Sequence, residues 1–222
     1  TYFLKLNTTK FVKYQQNGKS KQINMKKKFN EIYQDSIKNP EKFWGEVSDD
    51  VFWFKKPTNI LNKSNPPFYK WYEDGITNTC YNALDHHVDR GKGDKTALIY
   101  DSPITGNKAK FTFNELKTKV SKFAGALDNQ GIKKGDRVII YMPMIPEAVV
   151  AMLACARIGA IHSVVFGGFA SNELASRIDD SKARVLITAS CGFEPGRTVE
   201  YRPLVDGALN LAKHKIEKLI LF

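Results

Sequence analysis

One stretch of the sequence, residues 137–190, constrains the fold more than any other. It begins with Arg137–Met142, an apolar and β-branched run that carries no charge after its first residue. Such a run is typical of a strand that is covered on both faces. A helix is predicted next, because Pro146 suits a helix start and residues 148–156 carry no polar side chain apart from one thiol. Gly159 is expected to end this helix.

The same alternation of strand and helix repeats further along the stretch. Ile161–Phe166 is predicted to form a second strand, residues 172–179 a second helix, and Val185–Ala189 a third strand. Strands that alternate with helices in this way form a parallel sheet, since each helix carries the chain back to the start of the next strand. The sequence therefore predicts an α/β fold built on a parallel βαβαβ unit.

Open parallel sheets bind ligands beyond the carboxyl ends of their strands. Three segments of this chain follow predicted strands and meet that description: Pro143–Glu147, Gly167–Ser171 and Ser190–Arg197, the last of which we expect to form a loop. These segments are therefore the places where we expect a binding site.

The net charge of +11 is concentrated at the start of the chain. Residues 1–28 contain eight lysines and no acidic residue, which leaves only +3 for all the others. The folded part is thus nearly balanced, which argues against a nucleic-acid-binding face. The basic leader has several interpretations: a mitochondrial targeting segment, a disordered tail, or an upstream extension with Met25 as the true start. Nucleic-acid binding through the leader is a separate hypothesis.

The composition narrows the choice of compartment and excludes some kinds of site. The three cysteines follow no CxxC or metal-ligand pattern and suit a reducing compartment, either the mitochondrial matrix or the cytoplasm. No apolar run approaches the ~18 residues of a membrane span. His86-His87 lacks partners at a metal-binding spacing, so we expect these histidines to be satisfied locally in a helix or turn.

Residues 29–85 interleave aromatic side chains with polar residues and prolines. Their periodicity is too weak for an independent core, so we expect short helices and loops that lay rings onto a larger body. Acidic residues such as Glu41, Asp49 and Glu73 lie among the rings and would repel phosphates, which argues against stacking on single-stranded nucleic acid.

A β-hairpin and a helix are predicted between these two regions. Thr96–Tyr100 and Lys110–Thr112 flank a turn-rich segment, as the two strands of a hairpin would. Thr112 and Glu115 then form a capping box at the start of a helix that is expected to end at Gly131.

The end of the chain continues the alternating pattern. Pro203 is predicted to open another helix, and Lys218–Phe222 to begin a fourth strand. Because a domain rarely ends on the first residues of an apolar strand, we expect this chain to be part of a longer protein.

Several segments resemble the AMP-forming short-chain acyl-CoA synthetases, a family of adenylate-forming enzymes. The resemblance rests on Tyr141–Pro146, Ala154–Ser163 and Phe166–Ser171, and upstream on Tyr33–Pro40 and Asn82–His87. The resemblance covers residues 29–222, which follow the basic leader of residues 1–28. It implies an acetyl-CoA-synthetase-type amino-terminal segment over 29–85 and the first part of the AMP-binding adenylation domain over 86–222. The sequence Glu194-Pro-Gly-Arg197, with Tyr100–Pro103, is most similar to the mitochondrial, propionate-preferring branch.

The resemblance also implies an activity and its substrates. The family activates a carboxylate with ATP to an acyl-adenylate and then transfers the acyl group to CoA. It places the CoA nucleotide near Phe166, Gly167 and Gly168, and near Glu194, Pro195, Gly196 and Arg197. Glycines let a ligand approach the backbone, and amides at a helix start can face a phosphate. Arg197 can hold a phosphate through paired donors, whereas the carboxylate of Glu194 would repel one.

The residues that perform the chemistry are expected beyond Phe222. In the family, the phosphate loop, the acyl pocket, the catalytic lysine and the ligands of the Mg²⁺ that accompanies ATP all lie further along the chain. We therefore expect no turnover by these 222 residues alone, and we name the remainder of the same polypeptide as their partner. The alternative is a non-catalytic α/β module that binds CoA or a nucleotide.

Overall fold

The computed structural model describes residues 29–222, so the predictions about the leader lie outside the described residues. The contacts divide the chain into two units, with the boundary between Asp49 and Asp50. In the described part of the first unit, helix α1 (Phe29–Lys38) contacts helix α2 (Pro40–Val47). These helices confirm the prediction of short helical elements at this point.

A four-stranded parallel sheet forms the centre of the second unit. Its strands are β5 (Arg137–Met142), β6 (Ile161–Phe166), β7 (Val185–Thr188) and β10 (Lys218–Leu221), in the order β10-β7-β5-β6. All three pairings are parallel, which confirms the predicted unit and the predicted fourth strand.

The position of each strand in the sheet follows from its sequence. β5 is internal, and its residues from Val138 to Met142 are all buried, as expected of a charge-free apolar run. β7 is internal as well and fully buried. β6 has one neighbour in the described sheet, and its side chains at Ile161, Val164 and Phe166 are exposed.

Four helices accompany the sheet: α3 (Phe113–Asn129), α4 (Pro146–Ile158), α5 (Ser171–Ser181) and α6 (Tyr201–Leu211). The capping box of Thr112 and Glu115 is present at the start of α3. Gly159 ends α4 in the left-handed conformation, as predicted. Residues 148–156 of α4 are all buried or half-buried, which agrees with their lack of polar side chains.

Three antiparallel pairs complete the second unit. Strands β1 (Leu61–Asn62) and β2 (Lys70–Trp71) form a short pair, and β3 (Thr96–Asp101) and β4 (Lys108–Thr112) form the predicted hairpin. Two wide helical turns, Tyr81–Asp85 and Val88–Lys92, precede this hairpin.

The third antiparallel pair was not predicted from the sequence. Residues from Ser190 to Arg197 were expected to form a loop, but β8 (Cys191–Glu194) and β9 (Arg197–Glu200) pair as a tight hairpin. The alternation of apolar and polar residues extends over too few positions there to reveal strands of four residues each. α6 also begins at Tyr201, two residues before the predicted start. Pro203 is tolerated in the first helical turn because the amides of that turn have no partner within the helix.

None of the helices among residues 29–222 is both long enough and apolar enough to cross a membrane.

Candidate functional site

The three segments that were predicted to bind ligands lie at the same edge of the sheet. Met142 pairs with Phe166 at the ends of β5 and β6, and Tyr141 pairs with Thr188 near the ends of β5 and β7. Since these strands are parallel, their carboxyl ends lie side by side. The candidate site is built on this edge.

The turn after β6 is shaped by two glycines that are required for different reasons. A Cβ atom added at Gly167 would meet the Tyr201 hydroxyl and would lie 2.8 Å from the carbonyl oxygen of Met142. Gly168 has a φ of 94°, a conformation that disfavours any residue with a Cβ atom. Phe166, just before the turn, is 68% exposed. The turn thus combines tightly packed backbone with an exposed aromatic ring.

The second segment is the tip of the β8–β9 hairpin. Pro195 and Gly196 occupy its two central positions, and Gly196 has a φ of 74°. Proline followed by a glycine of positive φ is the sequence that a type II turn prefers. The turn places Glu194 directly opposite Arg197, and the Arg197 Nε atom donates a hydrogen bond of 2.8 Å to Glu194 Oε2. The Arg197 Nη2 atom lies 2.6 Å from the same oxygen.

The two segments come together in space. A Cβ atom added at Gly168 would lie 3.6 Å from Glu194 Oε1, so the glycine turn and the hairpin tip are in contact range. The structure therefore brings the seven predicted residues to one place. Within it, the carboxylate of Glu194 forms an ion pair with Arg197.

Some of the donors at the helix start next to the glycines are already used within the protein. The Phe169 amide already donates to the carbonyl oxygen of Phe166 at 3.2 Å. The Ser171 hydroxyl donates to the carbonyl oxygen of Leu204 at 2.8 Å, which ties the start of α5 to α6. The N-cap residue is Ala170, which has no side-chain oxygen, so side chains do not satisfy the first amides of α5.

Two buried tyrosines underlie the site, and the sequence analysis missed both. The rings of Tyr141 and Tyr201 lie 5.0 Å apart, and the Tyr141 hydroxyl donates to the carbonyl oxygen of Phe169 at 2.7 Å. Burial, together with Tyr141, Glu194 and Cys191, raises the pKa of Tyr201 to about 12. Burial also raises the pKa of Tyr141. Both side chains are therefore neutral phenols at physiological pH.

A groove of about 540 Å³ runs beside the hairpin tip. Its wall includes Ile104 and Thr105, from the loop between β3 and β4, together with Phe193, Glu194 and Arg197. Ile104 and Phe193 are both exposed, so the groove offers apolar surface next to a cation. Nothing in the local sequence of the β3–β4 loop indicated that it would lie here.

The cysteines and histidines pack against neighbouring parts of the protein. Burial raises the pKa of the Cys155 thiol to about 12, which agrees with a packing role. Cys191 is half-buried in β8, although it was expected in a loop. The rings of His86 and His87 lie against Phe52 and Phe113, at 5.3 and 4.7 Å. In residues 29–222, no three His, Cys, Asp or Glu side chains form a group that could hold a metal ion.

Two protein families match adjacent parts of the chain. Residues 84–221 match the AMP-binding enzyme family, and residues 29–83 match the acetyl-coenzyme A synthetase N-terminus. The chain belongs to the AMP-binding enzyme family.

Individual relatives narrow the similarity further. The human protein "Acyl-CoA synthetase short-chain family member 3, mitochondrial" is 55% identical over 187 residues, which are 84% of this chain and 27% of the relative. An acetyl-coenzyme A synthetase of Streptomyces coelicolor is 50% identical over 182 residues, which are 82% of this chain and 28% of that protein. The chain thus spans just over a quarter of the length of these relatives.

Proposed function

We propose that this chain is the amino-terminal part of an AMP-forming ligase that joins a short-chain carboxylate, propionate or acetate, to CoA. One observation carries the proposal: the glycine turn of Gly167-Gly168 and the Glu194–Arg197 hairpin tip meet at the carboxyl edge of a parallel sheet. The family of the chain and the names of its relatives support it. The mitochondrial relatives favour the mitochondrial matrix as the compartment.

The proposed reaction has two steps. A carboxylate oxygen attacks the α-phosphorus of ATP, the bond to the β-phosphate oxygen breaks, and pyrophosphate leaves. The CoA thiolate then attacks the acyl carbon, and AMP leaves with the electrons of the broken C–O bond. Mg²⁺ bound with ATP would neutralise charge on the phosphates. We place the ligands of that ion, and the catalytic groups, outside these 222 residues.

The contribution of this chain is to bind the nucleotide part of CoA. Phe166, Gly167 and Gly168 form one side of the site, where the lack of side chains permits close contact with the backbone. Pro195 and Gly196 form the turn that carries Arg197, whose guanidinium would pair with a phosphate. Glu194 competes with that phosphate for Arg197, because its carboxylate already accepts a hydrogen bond from Nε and lies 2.6 Å from Nη2.

The proposed division of the chain follows the same scheme. Residues 29–85 correspond to the acetyl-CoA-synthetase-type amino-terminal segment, and residues 86–222 to the first part of the adenylation domain. The family matches, which meet between residues 83 and 84, support this division.

Calorimetric titration of the purified chain with CoA tests the proposed site. We expect binding that Arg197→Gln weakens by about tenfold, since a hydrogen-bonded charge pair contributes about 1.5 kcal/mol or more. Arg202→Gln is the matched control, because Arg202 forms an exposed ion pair with Asp206 on α6. Equal affinities for CoA in Arg197→Gln and the unaltered chain would contradict the assignment.

A chimera tests the ligase activity itself. Residues 29–222 would replace the equivalent segment of the human relative, and formation of AMP and propionyl-CoA would be measured. We expect an active chimera, and no turnover of propionate, ATP and CoA by the 222-residue chain alone. A folded but inactive chimera that still binds CoA would instead favour a non-catalytic binding module.

A further inference from the structure

Tyr201 occupies an unusual position between the two segments of the proposed CoA site. Its side chain is 4% exposed and points its hydroxyl at two glycines. A Cβ atom added at Gly192 would lie 3.0 Å from the hydroxyl oxygen and 3.3 Å from the ring carbon that carries it. At Gly167, an added Cβ atom would meet the same hydroxyl. The tip of one tyrosine therefore fills the space that two side chains would otherwise need.

The backbone shows that space, rather than conformation, requires these two glycines. Gly168 and Gly196 have positive φ angles, but Gly167 and Gly192 do not. A residue with a Cβ atom could adopt the backbone of Gly192, and the neighbour that such an atom would crowd most closely is Tyr201. The tyrosine and the two glycines thus form one packing unit.

Tyr201 is itself held from two directions. Its amide donates to the carbonyl oxygen of Ser190 at 3.0 Å, which fixes the start of α6 to the residue before the hairpin. Its ring packs on Tyr141, whose hydroxyl binds the carbonyl oxygen of Phe169 beyond the glycine turn. Tyr201 is therefore held against strand β5 and contacts both segments of the site.

We infer that Tyr201 is a positioning residue, which sets the spacing between the Gly167-Gly168 turn and the β8–β9 hairpin and thereby determines how tightly the chain binds CoA. This inference rests on the proposed function, since it concerns the same site. The residue acts through the two segments, and its own side chain is too deeply buried to bind the ligand.

A double-mutant cycle tests the inference by calorimetric titration of the whole 222-residue chain with CoA. Its members are the unaltered chain, Tyr201→Phe, Gly192→Ala and the double variant. Tyr201→Phe keeps the ring and removes the atom that approaches Gly192 most closely, so it relieves the tightest of the contacts that the added methyl group would make. Gly125→Ala is the matched control, because a Cβ atom there would have no neighbour within 4 Å.

We expect Gly192→Ala to weaken CoA binding by about tenfold and Tyr201→Phe by less than about threefold. In the Tyr201→Phe background, Gly192→Ala should cost less than about threefold, since residues in contact are not additive. Gly125→Ala should leave the affinity unchanged in both backgrounds. Tyr201→Ala, which removes the ring, should weaken binding at least as much as Gly192→Ala, with Tyr201→Phe as the conservative rescue.

Two results would separate the possible failures. If the unaltered chain does not bind CoA, the proposed CoA site is wrong, and the inference about Tyr201 is wrong as well. If the unaltered chain binds CoA but the effects of Gly192→Ala and Tyr201→Phe are strictly additive, the site stands and the positioning role of Tyr201 is overturned. Thermal unfolding of every variant shows whether it is folded at the temperature of the titration, and the cycle does not depend on Tyr201→Ala being stable.

Discussion

The two ends of the parallel sheet are built in opposite ways. At the amino end, Arg184 donates to Asp136 at 2.6 Å and to Glu217 at 2.8 Å, and it reaches the carbonyl oxygen of Gly131 at 3.1 Å. This arginine links the segments that precede β5, β7 and β10. At the carboxyl end, β6 is followed by Gly167 and Gly168, and the side chain of Phe166 is exposed.

A second ionic cluster lies beside the amino end. Arg157, in the last turn of α4, pairs with Asp85 at 2.6 Å, and Lys117 of α3 lies 3.3 Å from the same carboxylate. Asn78 donates to the carbonyl oxygens of Ala156 and Arg157 at the end of α4. These bonds join the helical turns before β3 to the core, so this end of the sheet is fixed by direct protein contacts.

The comparison indicates that the residues that stabilise the fold and the residues that would bind a ligand lie at opposite ends of the strands. Polar groups at the amino end are largely satisfied within the protein, whereas the carboxyl end combines glycine backbone, apolar rings and one exposed ion pair. Variants at the amino end should therefore change the free energy of unfolding, and variants at the carboxyl end should change the affinity for CoA.

The largest effect is expected for Arg157→Met. It would leave the carboxylate of Asp85, whose side chain is only 10% exposed, without its shortest ion pair. Breaking such a buried pair costs about 3 kcal/mol of unfolding free energy. Urea unfolding would measure the loss, and Arg202→Met, which removes an exposed pair with Asp206, should change stability by less than about 0.5 kcal/mol. Similar losses of unfolding free energy in both variants would contradict the expected difference between the buried and the exposed ion pair.

Gly167→Ala should have the largest effect on binding. The added methyl group would press on the Tyr201 hydroxyl and on the carbonyl oxygen of Met142, which is backbone and cannot move easily. We expect at least a tenfold loss of CoA affinity and a loss of about 1 kcal/mol in stability, as overpacking typically produces. Titration with CoA and urea unfolding would measure the two effects. A loss of stability with unchanged affinity would show that Gly167 is required for the fold and not for CoA binding.

Glu194→Gln, unlike the other variants at the carboxyl end, is expected to strengthen CoA binding. Removing the carboxylate frees Arg197 for a phosphate, so we expect CoA to bind about threefold more tightly at low salt, with a smaller gain at high salt. Stability should hardly change, because the pair is exposed. Glu200→Gln makes the same charge change at the other end of the hairpin and should have a smaller effect. Weaker binding in Glu194→Gln would mean that the carboxylate contacts CoA favourably.

The smallest effect concerns pH at the amino end. Hydrogen bonds from the Lys133 amide and from Arg184 hold the pKa of Asp136 below its ordinary value. The resulting stabilisation is fully present above the unfolded pKa of about 4 and is lost as the pH falls through the folded pKa. Asp136→Asn should therefore lose less stability than the unaltered chain between pH 6 and pH 3. Asp128→Asn, which alters an exposed pair with Lys133, is the control.

Much of the fold was predictable because its elements are long and strongly patterned. The apolar run of β5, the capping box at Thr112 and the stop at Gly159 are local features, and the structure confirms each of them. The β8–β9 hairpin was mistaken for a loop because its strands are four residues long and carry no clear alternation. Short strands are defined by their partners, and their sequences alone do not reveal them.

The site was predictable in part. The family resemblance indicated seven residues, and the structure brings them together, although their contacts with CoA stay a prediction. Tyr141 and Tyr201 were missed because a buried tyrosine has the sequence appearance of any core residue. Ile104 was missed because its place in the groove depends on how two hairpins pack, which no local pattern encodes.

The sequence by itself determined the parallel sheet, the order of its elements and the two glycine-containing segments at its carboxyl edge. Periodicity, helix caps and glycine positions are properties of neighbouring residues, so they can be recognised without a structure. Only the tertiary structure decided that Glu194 pairs with Arg197 across a hairpin and that Tyr201 fills the space beside Gly167 and Gly192. Those relations join residues that become neighbours through folding, because the spacing between two segments is set by what packs between them.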